Sequence, residues 1–479
     1  MNALAENSSF AAIAPLRFGY GRRAGDAALD SPAALLAQIP IGAARRPPFA
    51  GEGSPPRIAA LRSFILEQRA ARQAKDAEAI EAARKGRRSL LQGHYLRDAH
   101  ARVLWSVTQP EGFFERLAFF WADHFTVSMA KSSLRHLVGP FEAEAIRPHL
   151  GGDFATLLKA ASLHPAMLLY LDQDRSMGPA SEQGQERGRG LNENLAREII
   201  ELHTLGVAAD YSQRDVRQFA ELLTGVSVNH NQGVQIFSSR LAEPGSEVVL
   251  GERYGDRGIE PVLQVLEDLA HHPATAQHLA RKLAVHFLSD DPPDDVVQHL
   301  TATYLENDTR LMPVYRALLE HPAAWQTFGQ KVRQPFDLVV TSLRISLFPG
   351  SEASFAKPKA AAGEGMMMAG SMAAIGRPAD YRWTLRPLAR MAQLPWNAPG
   401  PDGWKEQATA WISPQGLAER LAWAERLAAG PLRRASPKEV TLRAFAGQEP
   451  DRLALLALEA GSSEEARTII LASPEFQRR

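Results

Sequence analysis

Residues 113–125 read Phe113-Phe114-Glu115-Arg116-Leu117-Ala118-Phe119-Phe120-Trp121-Ala122-Asp123-His124-Phe125, directly after Pro110 and Gly112. At helical spacing this stretch is apolar on most sides, which no surface helix can be, so it predicts a helix buried inside a larger helical body. Phe119, Phe120, Trp121 and Phe125 are accordingly read as core, and His124 beside them as a hydrogen-bonded core histidine. Working outward, helical periodicity recurs at about 131–147, 152–162, 164–172, 191–206, 212–224, 259–271, 273–288 and 333–347. Upstream, 57–109 has no proline and only Gly86 and Gly93, with Ile58, Leu61, Ile65 and Leu66 at helical spacing before a highly charged stretch. That pattern predicts one or two long helices that protrude in part.

Punctuation supports the same reading. Ser212 with Asp215 has the spacing of a capping box, Gly225 supplies a stop, and Ser462 with Glu465 opens a late helix in the same way. His164-Pro165-Ala166, His272-Pro273-Ala274 and His321-Pro322-Ala323, with Ser473-Pro474-Glu475 as a looser fourth, place proline where the first helical N–H would lack a partner anyway. They are therefore helix starts and not a histidine cluster. Strand signals are confined to Val226-Ser227-Val228, Val234-Gln235-Ile236-Phe237 and Val248-Val249-Leu250, enough for a small hairpin or meander. The expected fold is mainly α: a large multi-helix body with a short β hairpin at about 226–250 and an extended N-terminal arm. Its expected divisions are an arm over 1–56, a helical core over 57–349, a flexible loop over 350–378 and C-terminal helices over 379–479.

At 479 residues and 45% hydrophobic the chain can bury a large core. Lys plus Arg equals Asp plus Glu at 54 each, so bulk charge implies no nucleic-acid partner. With no cysteine, disulfides, thiolate metal sites and a cysteine nucleophile are excluded together. No stretch approaches a membrane span, and residues 1–20 lack an apolar run long enough for a signal peptide, so a cytoplasmic location is the expectation. No Gly-rich phosphate loop follows a strand, and no Gly-x-Ser-x-Gly elbow occurs. The methionines Met366, Met367, Met368 and Met372 are read as adaptable loop contacts rather than a copper site.

One segment concentrates polar chemistry: Leu191-Asn192-Glu193-Asn194-Leu195-Ala196-Arg197-Glu198-Ile199-Ile200-Glu201-Leu202-His203-Thr204-Leu205-Gly206. On a regular helix Asn194, Arg197, Glu198 and Glu201 form one stripe, and Glu198 and Glu201 repel each other unless a cation lies between them. Asp123 and His124, with Glu198, Glu201 and His203, are donor types that a divalent ion accepts. Yet no pair has zincin spacing, and His203 lies about 200° round the helix from Glu201. A carboxylate network closed by Arg197 is therefore expected in place of a metal, and no cofactor is assigned. Glu198, Glu201, Arg197 and His124 are the candidate catalytic residues, with a glutamate as base and Arg197 as anion clamp. Asp123, Asp172, Asn192, Glu193, Asn194 and His203 are candidate ligand contacts. The loop 172–190, with Arg175, Arg187 and Arg189, is a candidate lid. Against this stands a purely structural reading, in which Asn192 or Asn194 caps the helix and Arg197 bridges carboxylates.

Phe120-Trp121-Ala122-Asp123-His124-Phe125-Thr126-Val127-Ser128, Tyr170-Leu171-Asp172, the 192–206 segment and Tyr211-Ser212-Gln213-Arg214-Asp215-Val216 together resemble the bacterial domain-of-unknown-function 1800 family. So do Leu279-Ala280-Arg281-Lys282-Leu283, the 331–336 run and Leu471-Ala472-Ser473-Pro474-Glu475-Phe476, and the resemblance covers nearly the whole chain. It departs from the family pattern at Asp123, where an amide is usual, and at Val226, where an aromatic is usual. The resemblance implies no activity. It does imply a neighbouring gene for a phosphatase- or sulfatase-like protein. Two functions follow as expectations: an enzyme with its site where the Asp123–His124 end meets the 192–203 helix, or a non-catalytic accessory partner of that neighbour, using the 172–190 loop and the helices of 57–109 as contact surface.

Overall fold

The computed structural model describes residues 3–23, 25–187, 190–255, 258–347, 381–447 and 451–479. The helix Gly112–His124 lies inside the body, with Phe113, Phe114, Leu117, Ala118 and Trp121 fully buried. Its aromatic side chains point in several directions because helices cover it on several sides. Phe119 stacks on Phe336 of helix Pro335–Ser346 at 4.8 Å, and Phe113 meets Phe287 of helix Pro273–Phe287 at 5.9 Å. Trp121 donates its Nε1–H to the Tyr315 hydroxyl of helix Leu311–Glu320 at 2.8 Å and packs on Phe154 of helix Phe154–Ser162. Every residue of Pro335–Ser346 is buried as well, so the fold has two neighbouring central helices.

Two charges on the central helix are buried with it, and each is matched. Glu115 takes Arg102 and Arg147, which share Glu142; Arg116 takes Asp337, which also holds Arg333 and Arg479. Such groups lose hydration on burial and are tolerated only when paired and hydrogen-bonded.

Helices begin and end much as the sequence predicts. The region 57–109 forms Ser54–Gln73 and Ala77–Thr108, and Gln213–Leu223 opens on a reciprocal Ser212–Asp215 capping box and is followed by Gly225 at φ +92°. At the His-Pro-Ala starts the imidazole itself is the cap: Nδ1 of His164, His272 and His321 accepts the N–H of Ala166, Ala274 and Ala323 at 3.1–3.2 Å. Within 131–147 the expected helix is broken into short pieces, Ser132–Leu134, Val138–Phe141, a π-turn at Glu142–Ile146, and Arg147–His149. Within the segment expected as an arm, Ala3–Arg17 is helical, and Ala14, Leu16, Phe18 and Tyr20 are buried. The strands form two separate antiparallel hairpins. Val226–Asn229 pairs with Val234–Phe237, and Glu247–Val249 pairs with Glu252–Tyr254, a partner with no sequence signal of its own. Among the described residues no helix is long and apolar enough to cross a membrane. The Met366–Met368 reading and the 350–378 loop lie outside the described residues.

Candidate functional site

The residues singled out in the sequence separate into three neighbourhoods. The first is the outer face of the 191–206 segment. It is α-helical over Asn194–Glu198 and then widens into a π-turn over Ile199–His203, closed by Thr204 Oγ1–H to the Ile199 carbonyl at 2.7 Å. Asn192 opens it, accepting the Asn194 N–H at 3.0 Å and donating its amide to the carbonyls of Leu171 and Asp172. Arg197 bridges Glu193 and Glu201 at 3.1 Å each and also reaches Gln213 at 3.0 Å. This network is closed and lies at the surface, with Arg197 36% exposed. Glu198 stands apart and is half-buried. Burial, and then the nearby Glu201 carboxylate and Asp402, push its carboxyl up to about 7 against the pull of Arg197.

The second neighbourhood is interior. Asp123 accepts the Trp404 N–H at 3.0 Å, and Gly403 lies over it at φ +79°. A Cβ at Gly403 would stand 2.7 Å from the Asp123 carboxylate, so glycine is needed there for close approach as well as for its φ. Burial raises Asp123 and lowers Lys282, and the two facing charges oppose both shifts. Beside them the π-turn delivers two free carbonyls, and imidazoles satisfy both: His124 Nε2–H donates to His203 O at 3.1 Å and His278 Nε2–H to Leu202 O at 3.2 Å. The His203 ring is buried 5.0 Å from Phe125 and 6.0 Å from His124, and neither of its nitrogens has a hydrogen-bond partner. Burial, reinforced by Lys282, pushes His203 down to about 3 and His124 well below its ordinary value. His124 and His203 are thus neutral helix-end and core groups. Glu201 points away to Arg197, and among the described residues no three His, Asp or Glu side chains are disposed to hold one metal ion. A cavity of about 30 Å³ beside Asp123, lined also by Arg102, Glu142, Trp396 and Trp404, has room for about one water.

The third neighbourhood is a groove of about 450 Å³ between the Ser54–Gln73 helix and the turn around Asp172. Its floor is apolar, with Ile58, Leu61, Ile65, Leu66, Leu134 and Leu169, and its cations are Arg62, Arg69, Arg87, Lys131 and Arg175. Asp172 has a left-handed backbone, φ +57°, and is pinned by Lys131, whose Nζ reaches its carboxylate at 2.9 Å and the carbonyls of Leu169 and Tyr170 at 2.7 and 2.9 Å. Asp174 faces His230 at 3.4 Å. Among the described residues Arg62, Arg69 and Arg87 have no acidic partner within 4 Å, while Ile65 and Leu66 are 44% and 49% exposed. His136 lies in the wall, buried.

Of the sequence candidates, therefore, Arg197 joins Glu193 and Glu201; His124 meets His203 in the interior, while Asp123 turns to the Trp404 N–H; and Asp172 borders the groove. Neither cavity is lined by Glu198, Glu201 or Arg197. Within the candidate lid, Gly178 N–H donates to Leu241 O at 2.9 Å and Glu182 pairs with Arg240 at 3.0 Å. Lys282, His278 and Asp402 were not among the sequence candidates; Lys282 sits beside Arg281 in the run Leu279–Leu283, where nothing in the local spacing sets it apart. No curated protein matches the chain, and no solved structure does. The family model described as protein of unknown function (DUF1800) matches residues 15–478, and the chain belongs to that family.

Proposed function

We propose that this chain is a non-catalytic accessory protein that holds an acidic protein partner in the groove beside the Ser54–Gln73 helix. The observation that carries this reading is the combination, in one concave surface, of guanidiniums without acids and exposed aliphatic side chains. An amphipathic partner docked there would cover the aliphatic side chains and pair with the guanidiniums at the same time. The groove also joins the two segments expected as contact surface, the 57–109 helices and the start of the 172–190 loop. The phosphatase- or sulfatase-like neighbour implied by the family is the first partner to test. Titration calorimetry of the full chain with that protein should show binding, and Ile65→Asp or Arg69→Glu should weaken it tenfold or more. Equal affinity for all three chains, or no binding by any, counts against the reading.

A second reading, acid–base catalysis, has one supporting observation. The half-buried Glu198 carboxyl lies near neutrality, where a side chain can both give and take a proton. Neither of the two cavities described above is lined by Glu198, and for that reason this reading ranks second.

A further inference from the structure

Resting on the groove reading, we infer that the occupant is an amphipathic α-helix of the partner, carrying two acidic residues seven positions apart with its apolar side chains between them. On the Ser54–Gln73 helix, Ile58, Leu61, Arg62, Ile65, Leu66 and Arg69 recur at intervals of three and four, so they share one face, and that face is the groove wall. Arg62 and Arg69 are two turns apart, about 10.5 Å along the axis, and the exposed Ile65 and Leu66 lie between them. Arg87 adds a third guanidinium from the neighbouring helix Ala77–Thr108.

The spacing discriminates between occupants. A fatty acid or another single-headed amphiphile has one charge at one end and would leave the second arginine unmatched. A helix has the same rise per residue as the wall it lies against, so acids at i and i+7 fall opposite Arg62 and Arg69 while side chains at i+3 and i+4 meet Ile65 and Leu66. The groove's own acids do not compete for the free arginines, because Asp172 is held by Lys131 and Asp174 faces His230.

The test uses the full chain and fluorescence anisotropy with labelled fifteen-residue synthetic helices. One has leucines at i+3 and i+4 between glutamates at i and i+7; a second has lysines in place of the glutamates; a third has the glutamates moved to the opposite face. The first should bind at least tenfold more tightly than the other two, and the double variant Arg62→Glu, Arg69→Glu should reverse the preference toward the lysine peptide. Both arginines are at least partly exposed, so an unchanged circular-dichroism melting curve will show that the variant folds. Equal binding of the first and third peptides would overturn the inference. It would also fall if tetradecanoate displaced an apolar dye from the groove while no peptide bound; the groove would then stand as a site with a different occupant. If neither peptides, tetradecanoate nor the partner protein bind, the groove reading itself fails.

Discussion

Replacing His203 by phenylalanine should make the fold more resistant to acid, by an amount set by how completely the ring is buried. His203 is 1% exposed, lies against Phe125 and His124, and has no hydrogen bond at either nitrogen, so a phenyl ring loses no polar partner there. Its folded pKa is about 3 against an ordinary 6.5, so between those values the unfolded chain takes up a proton that the folded chain refuses. Stability contributed by the neutral ring is therefore complete above the unfolded pKa and is lost as pH falls below it. From pH 7.5 to 5.5 the unfolded imidazole gains about 1.4 kcal/mol of protonation free energy, which the folded state does not match. Urea unfolding at the two pH values should show wild type losing about 1.4 kcal/mol more than His203→Phe on acidification, whatever the difference between them at pH 7.5. His124, also buried and neutral, adds a similar loss to both proteins and cancels. If the two proteins lose the same stability between pH 7.5 and 5.5, His203 is not held neutral and the interior described around it is wrong.

Glu198 should behave in the opposite sense. Its folded carboxyl keeps a proton up to about pH 7 while the unfolded one releases it near 4.5, so its contribution falls as pH rises through that window. Solvent screening at this half-buried group reduces the effect to about 1 kcal/mol. Glu198→Gln should accordingly melt higher than wild type at pH 8 and close to it at pH 5, and a constant difference across that range would contradict the assignment. Glu115→Gln removes a buried carboxylate from between Arg102 and Arg147 and leaves an excess positive charge at 1–2% exposure, which should cost about 3–5 kcal/mol. A midpoint in urea close to wild type would show that solvent reaches this network.

The helical class was legible because it rests on local rules. The apolar circumference of 113–125, the long proline-free run after residue 57, and the serine and His-Pro caps are satisfied within a few residues of chain, and each appears where its spacing places it. The site was legible only in part. Arg197 with Glu193 and Glu201 is an i±4 arrangement and could be read from spacing alone, whereas the π-turn at Ile199–His203 could not, because it depends on His124 and His278 from distant helices accepting the role of end caps for its carbonyls. The same holds for Glu115 and Arg116, whose partners lie as far along the chain as residues 147 and 337.

By itself the sequence determined the class of fold, the positions of most helices, and the presence of a carboxylate–arginine network around Arg197. Only the tertiary structure decided that the backbone widens into a π-turn at Ile199–His203, that Asp123 and Lys282 are buried within electrostatic reach of each other, and that three arginines without acidic partners share a groove. The physical reason is range: backbone hydrogen bonding and i to i+4 contacts are encoded locally, whereas concavity, burial and the balance of charge at a site are properties of chain segments far apart in sequence that pack side by side.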